Sequence, residues 1–196
     1  MPTADNVLVG KPNIAAGSGG IYYQRNAAEA DIPTDALTAL AASWLDAGYV
    51  SSDGLTKTTD SSTEKVVAWG TDVVKILETE HSVSFVFTLI EPKSANALNL
   101  IFGESNVTVD PTTGAITVEE RSGLTPRASF VFDMLDGDTA IRVVVPDGQP
   151  SVSGDVTYVD GDVIGYQVTV EAFPVDGGVK AYQYMADATV TAPPAG

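Results

Sequence analysis

Cysteine is absent from the 196 residues. Disulfides, thiolate metal sites, iron–sulfur clusters and a cysteine nucleophile are therefore excluded. Histidine is nearly absent too. His81, in Thr79-Glu80-His81-Ser82, has no second His or Cys to work with, and no Gly-x-Ser-x-Gly elbow accompanies it. It reads as a solvent-facing turn residue between two strands. Positive charge is scarce: 10 Lys and Arg stand against 26 Asp and Glu, a net charge of −16. The basic residues are scattered, so the chain should repel free nucleic acid rather than bind it through phosphate neutralisation. No apolar run approaches the ~18–20 residues of a membrane span. The start, Met1-Pro2-Thr3-Ala4-Asp5, has no basic and apolar leader pattern. The expectation is a protein that neither crosses a membrane nor carries a secretory signal.

Fragments that resemble functional motifs are incomplete. Gly17-Ser18-Gly19-Gly20 lacks the Lys-Ser/Thr and the strand–helix setting of a phosphate loop. Asp136-Gly137-Asp138 and Asp160-Gly161-Asp162 lack the remaining oxygen ligands and closing Glu of a calcium loop. Asp-Gly is a favoured hairpin turn, and both read as turns. Glu119-Glu120 has no partner carboxylate at a defined spacing for acid–base work. No catalytic residue, cofactor or metal is expected, and the chain reads as a non-enzyme.

What remains is a turn-rich β composition: 44% apolar residues, 18 Gly, 11 Pro and only 18% charged. The length fits one domain with arms. Residues 1–32 read as an amino-terminal arm carrying short strand material at Val7-Leu8-Val9 and Ile21-Tyr22-Tyr23. Pro33-Thr34-Asp35 offers helix-start chemistry before Ala36–Trp44. Then comes the stretch on which the chain turns, Trp44 to Leu55. Gly48 and Gly54 lie within it and mark two changes of direction. Residues 51–64 are polar, without apolar periodicity, and read as an extended loop held by something outside the domain.

Strand signals follow. Lys65–Trp69 and Asp72–Leu77 form a hairpin candidate around Gly70-Thr71. Val83, Phe85, Phe87 and Leu89 alternate on one face. Ser94 can cap a helix over Ala95–Phe102, with Gly103 at its end. The remainder reads as antiparallel β: 107–109 with 115–118, 128–135 with 140–145, 155–159 with 163–173, and a last strand at 179–185. Residues 186–196 form a carboxy-terminal tail.

Trp44-Leu45-Asp46-Ala47-Gly48-Tyr49-Val50-Ser51-Ser52-Asp53-Gly54-Leu55 resembles a stretch of the major tail proteins, or tail tube proteins, of bacteriophages with long, non-contractile tails. In order, Ala68-Trp69-Gly70-Thr71-Asp72-Val73-Val74, Leu89-Ile90-Glu91-Pro92, Phe102-Gly103 and Tyr166–Ala172 extend the resemblance over nearly the whole chain. It implies an antiparallel β-sandwich or partial barrel flanked by one helix, with an extended arm and a long loop. It implies homohexameric rings stacked into a tube, the conduit for DNA ejection. A tape-measure protein would lie inside, and terminator and distal tail proteins at the ends. DNA would pass through the lumen without specific binding. The location implied is the virion tail, after synthesis in the host cytoplasm. The extra immunoglobulin-like domain of some relatives is expected to be missing.

On this reading Trp44, Gly48, Tyr49, Asp53, Gly54, Leu55 and Lys57 are assembly residues. Glu64, Glu78 and Glu80 are candidate lumen-facing acids. The competing reading is a secreted or surface β-sandwich adhesin, calcium-loaded through its Asp-Gly-Asp turns.

Overall fold

A computed structural model describes residues 7–14 and 18–187. Among them the strands are β1 (Ile21–Gln24), β2 (Leu45–Asp46), β3 (Thr56–Val67), β4 (Val73–Leu89), β5 (Val107–Val109), β6 (Ile116–Val118), β7 (Ala128–Asp136), β8 (Thr139–Val152), β9 (Tyr166–Ala172) and β10 (Tyr182–Asp187), with one α-helix, α1 (Ala95–Phe102). Every named strand pair is antiparallel. The chain is mainly β with a single flanking helix, as the sequence implied.

One sheet runs β2-β1-β7-β8-β9-β4-β3, with β10 also paired to β8. The long strand β8 makes this arrangement possible. Its first part pairs with β7 and β10, and from Gly148 to Val152 it pairs with β9. Between these parts the strand turns from one half of the sheet to the other. Pro146 lies at the change, and a side chain at Gly148 would sit 2.7 Å from Val170 Cγ1 and 2.9 Å from Phe130 Cδ2. Glycine there lets two strands close on the bend. The sheet folds back on itself as a partial barrel. Phe85 of β4 therefore stacks on Phe132 of β7 at 5.1 Å, although two strands separate them in the sheet. Phe87 meets the same ring edge-on at 5.9 Å. Val83, Phe85, Phe87 and Leu89 are all buried, so the alternating face expected of them is the heart of the core. Each contributes about 1.5–3 kcal/mol.

Helix α1 covers one opening of this barrel. Ser94 Oγ accepts from the Ala97 N–H at 3.4 Å, and Gly103 closes the helix at φ +88°. Ala97, Leu100 and Ile101 enter the core. The Tyr23 hydroxyl donates to the Asn96 carbonyl at 2.9 Å. Burial pushes its pKa up to about 12, against the opposing pull of the Arg25 charge.

Several expectations need correction. Ile21-Tyr22-Tyr23 belongs to the core rather than to an arm: β1 lies between β2 and β7, and Tyr23 is fully buried. Residues 9–13 continue along the same edge of β7. There Lys11 and Asp133 carbonyls accept from Leu135 and Asn13, and Pro12 bridges Met134. Ala36–Trp44 forms bends and turns in place of a helix. Asp35 does accept from the Thr38 hydroxyl at 2.6 Å and then from the Thr38 and Leu37 N–H groups, and those bonds hold its carboxyl below the usual range. However, the Arg142 guanidinium takes the Asp35 and Thr38 carbonyls, the acceptors a helix would have used. No strand forms at 155–159. The two strands expected on either side of His81 are one strand, β4, and His81 pairs with Ser61. The polar Thr79–Ser82 run marks where β4 leaves the body, not where it turns. Finally, residues 186–187 complete β10, and the rest of the expected tail, like residues 1–6, lies outside the described residues.

Candidate assembly surface

The largest departure from the sequence reading concerns residues 51–64. From Thr56 onward this segment is strand, with every residue to Val67 exposed, hydrogen-bonded to β4 from Thr56↔Val86 to Val67↔Val73. The pattern carried no periodicity because neither face of the ribbon is buried, and periodicity reports only half-buried strands. Thr nonetheless suits extended backbone.

β4 pairs with β9 only from Ser84 to Leu89. From Ser82 outward to Val73 its neighbour is β3 alone. The two strands therefore form an arm projecting about 30 Å. A two-stranded ribbon is marginally stable by itself in water. Its stem is polar: Asp60, Ser61, Ser62 and Thr63 face the run from Glu78 to Ser82. Its tip is apolar. Val67, Trp69, Val73, Val74 and Ile76 are each at least half exposed, and Trp69 stands fully in solvent at 106%. Apolar groups gathered at the end of a projection mark an interaction surface.

The register sorts the arm's acids. β3 and β4 shift register at Ser62/Thr63 and again at Val66/Val67. Each shift inserts one extra β4 residue, so parity along β4 changes while parity along β3 does not. Asp60, Ser62 and Glu64 share a face with Ser82 and Glu80, and Glu78 lies on the opposite face beside Ser61, which donates to Glu78 Oε1 at 3.1 Å. Glu64 and Glu80 are thus brought together and Glu78 is separated from them. The Asp60–Glu80 face continues onto the body through Ser84, Val86 and Thr88, then Gln167, Thr169 and Glu171 of β9, then Gln149 and Ser151 of β8. It is a mainly polar sheet face, broken by Leu77 and Val86, with the carboxylates Asp60, Glu64, Glu80 and Glu171. Its first cation is Lys75, opposite Val66 near the tip. Sequence reasoning missed Asp60 and Glu171; the alternation of Glu171 with buried Val170 and Ala172 was the available signal.

Trp44–Leu55 proves to be the seam of the barrel. β2 and β3 are the two ends of the sheet path, and this stretch joins them. Leu45 and Asp46 pair with β1; Val50 bridges Leu89, and the Ser51 N–H donates to Thr88 O at 2.8 Å. The stretch is held within its own domain at both ends. Trp44 is buried on Val131 and Val144, its indole N–H directed to Asp31 O at 3.3 Å. Gly48 turns at φ +97°, where a side chain would strike Glu91 Oε2 at 2.9 Å; Glu91 instead accepts the Tyr49 N–H. Tyr49 is half exposed, Asp53 exposed and Leu55 partly buried against the core. Gly54 bends at φ +71° with open space around it. Lys57 lies on β3 opposite Phe85. Of the seven candidate assembly residues, Trp44 and Gly48 therefore serve the subunit's own packing. Tyr49, Asp53, Gly54 and Lys57 are on the surface.

On the other half of the sheet, Tyr182 and Tyr184 of β10 stack at 6.1 Å. With Ile32, Pro33, Pro146 and Val175 they line a hollow of about 600 Å³, with Glu29 and Asp176 at its margin. Burial, then the neighbouring Tyr182 and Asp35, push the Tyr184 phenol up.

Among the described residues no group of three or more His, Cys, Asp or Glu is placed to hold a metal. Asp136 of the first Asp-Gly-Asp turn accepts the Val9 N–H at 2.8 Å and faces Lys11 at 3.8 Å.

The family described as phage tail tube protein matches residues 11–196. No curated protein matches the chain. Among solved structures, the tube-terminating cap of the anti-feeding prophage is similar at 9% identity with a TM-score of 0.43, covering 95% of this chain and 100% of that one. Its baseplate is similar at 14% identity with a TM-score of 0.34, covering 87% of this chain and 93% of that one. On the family match over residues 11–196, the chain belongs to the phage tail tube protein family.

Proposed function

We propose that this structural tail protein builds the tube itself, as homohexameric rings that stack, and that the tube conducts DNA during ejection. The observation that carries this reading is the arm: a long ribbon with an apolar tip that is exposed among the described residues. A second copy supplies one. The outer edges of β3 and β10 are also free within the described subunit, and pairing such edges between copies closes a ring and removes them. Tyr49, Asp53, Gly54 and Lys57 lie beside the root of the arm and join this contact. The tape-measure protein fills the tube before ejection, and terminator and distal tail proteins close its ends.

Negative-stain microscopy of concentrated protein, alone and with the other tail components, tests the proposal. Rings or tubes are expected. A monodisperse monomer under both conditions overturns it.

The acidic face has a place in the same reading. Asp60, Glu64, Glu80 and Glu171 line the lumen, and Glu78 points away from it. A wall of carboxylates repels phosphate and leaves DNA free to slide. Replacing Glu64 and Glu80 together by Lys should slow ejection while tubes still form, and the same change at Glu78 should matter less. Ejection at the normal rate from Glu64→Lys/Glu80→Lys particles removes the lumen assignment.

A further inference from the structure

The arm tip carries more than apolar surface. Between residues 65 and 77, Lys65 and Lys75 outnumber Asp72, a net of +1 on a chain of −16. Beside these cations stand Val67, Trp69, Val73, Val74 and Ile76, all exposed. A receptor for such a tip needs an apolar hollow large enough for an indole and several aliphatic groups, with carboxylates at its margin. The hollow beside β10 has both. Its floor is the stacked Tyr182–Tyr184 pair with Ile32 and Pro33, and its volume is about 600 Å³. Glu29 and Asp176 border it, and neither is in an ion pair among the described residues.

A cleft lined by Tyr22, Leu37, Leu40, Trp44 and Leu135 offers about 450 Å³, with Asp133 its one carboxylate, and a smaller apolar cleft against the seam at Tyr49–Leu55 offers about 270 Å³. Asp133, the one carboxylate of the smaller cleft as well, is already bound to Arg142. Both are poorer matches in size and in charge.

We infer that the arm tip of one copy docks into the hollow formed by Tyr182, Tyr184, Ile32 and Pro33 of another copy, with Trp69 inserted and Lys65 and Lys75 facing Glu29 and Asp176. This inference rests on the tube reading and adds the receptor site to it. The tip is exposed among the described residues, and on this reading the hollow of another copy covers it. Aromatic floors favour both parts of such a guest. They pack an indole in offset or edge-on geometry, and they attract an ammonium group over the ring face. The polar stem then spans the distance between the two bodies, in contact with water, which accounts for its Ser, Thr and Glu composition.

The cysteine-free chain makes the contact directly testable. Thr71→Cys at the tip is mixed with either Thr34→Cys at the proposed hollow or Ser52→Cys at the seam cleft. The mixtures are assembled into tubes and treated with a short thiol-specific cross-linker. Cross-linked dimers are expected with Thr34→Cys in large excess over Ser52→Cys, and adding Trp69→Ala to the tip variant should reduce their yield severalfold. Tubes in which the tip joins Ser52→Cys, or joins neither, overturn the docking site and leave the tube reading intact. Failure of the wild-type chain to form any ring or tube, with or without the other tail components, overturns both.

Discussion

Replacing Arg142 with alanine is expected to lower folding stability by about 3–5 kcal/mol, the usual cost of stranding one partner of a buried ion pair. Arg142 on β8 meets Asp133 on β7 through two bonds, Nε to Oδ1 at 2.6 Å and an NH2 nitrogen to Oδ2 at 2.9 Å. Both side chains are nearly sealed from water, with residue exposures of 4% and 8%. The remaining guanidinium nitrogen reaches the carbonyls of Thr38 at 2.8 Å and Asp35 at 3.2 Å. Removing the guanidinium leaves a buried carboxylate alone and frees two carbonyls that hold the 35–38 segment to the sheet.

Lysine is expected to restore only part of the loss. Its ammonium is a point charge and cannot reproduce the two-pronged contact while also reaching two carbonyls. Replacing both partners by leucine should be milder than Arg142→Ala, because no charge is then left buried. Chemical denaturation of the four proteins measures the order. A loss below about 1 kcal/mol for Arg142→Ala, the range of exposed pairs, would show that the pair is solvated in solution.

The second large effect concerns assembly rather than stability. Excising residues 63–79 and joining Ser62 to Glu80 through Asn-Gly keeps the Ser62↔Glu80 pair and supplies a two-residue hairpin turn that fits it. Everything removed is exposed. The excised protein should retain its denaturation midpoint, with a change of less than about 0.5–1 kcal/mol, as for surface changes away from special contacts. Tube formation should be abolished, because the apolar tip is lost whole. Wild-type and excised proteins compared by microscopy and by denaturation separate the two effects. Tubes of normal length from the excised chain would show that the arm is dispensable. A large loss of stability would show instead that the stem supports the body.

Much of the body was legible in the sequence. Val83, Phe85, Phe87 and Leu89 alternate because one face of β4 is buried, and helix α1 begins at its Ser94 cap and ends at Gly103. The Asp110 turn between β5 and β6 is also local chemistry: the Asp110 carboxylate takes the Thr112 N–H at 2.7 Å. Local features of this kind need no tertiary context to be read.

The hairpin at the arm's tip, around Gly70-Thr71, was legible, but its polar stem was not. A ribbon exposed on both faces has no hydrophobic period, and a polar strand of Thr, Ser, Asp and Glu is indistinguishable from a loop in composition. The sorting of the acids was hidden for a related reason. Two register shifts change the parity of β4, so spacing along the sequence cannot say that Glu80 and Glu64 share a face while Glu78 does not.

The sequence by itself determined a cysteine-free, acidic, antiparallel β domain with one helix and the resemblance to its family, because those depend on composition, alternation and capping between near neighbours. Only the tertiary structure decided that Trp44–Leu55 is a seam tied at both ends to its own sheet, that residues 60–82 form an arm, and that Arg142 holds residues 35–38 out of a helix. Each of these depends on partners far apart in the chain, whose meeting is fixed by how β8 bends and where the sheet runs out of neighbours.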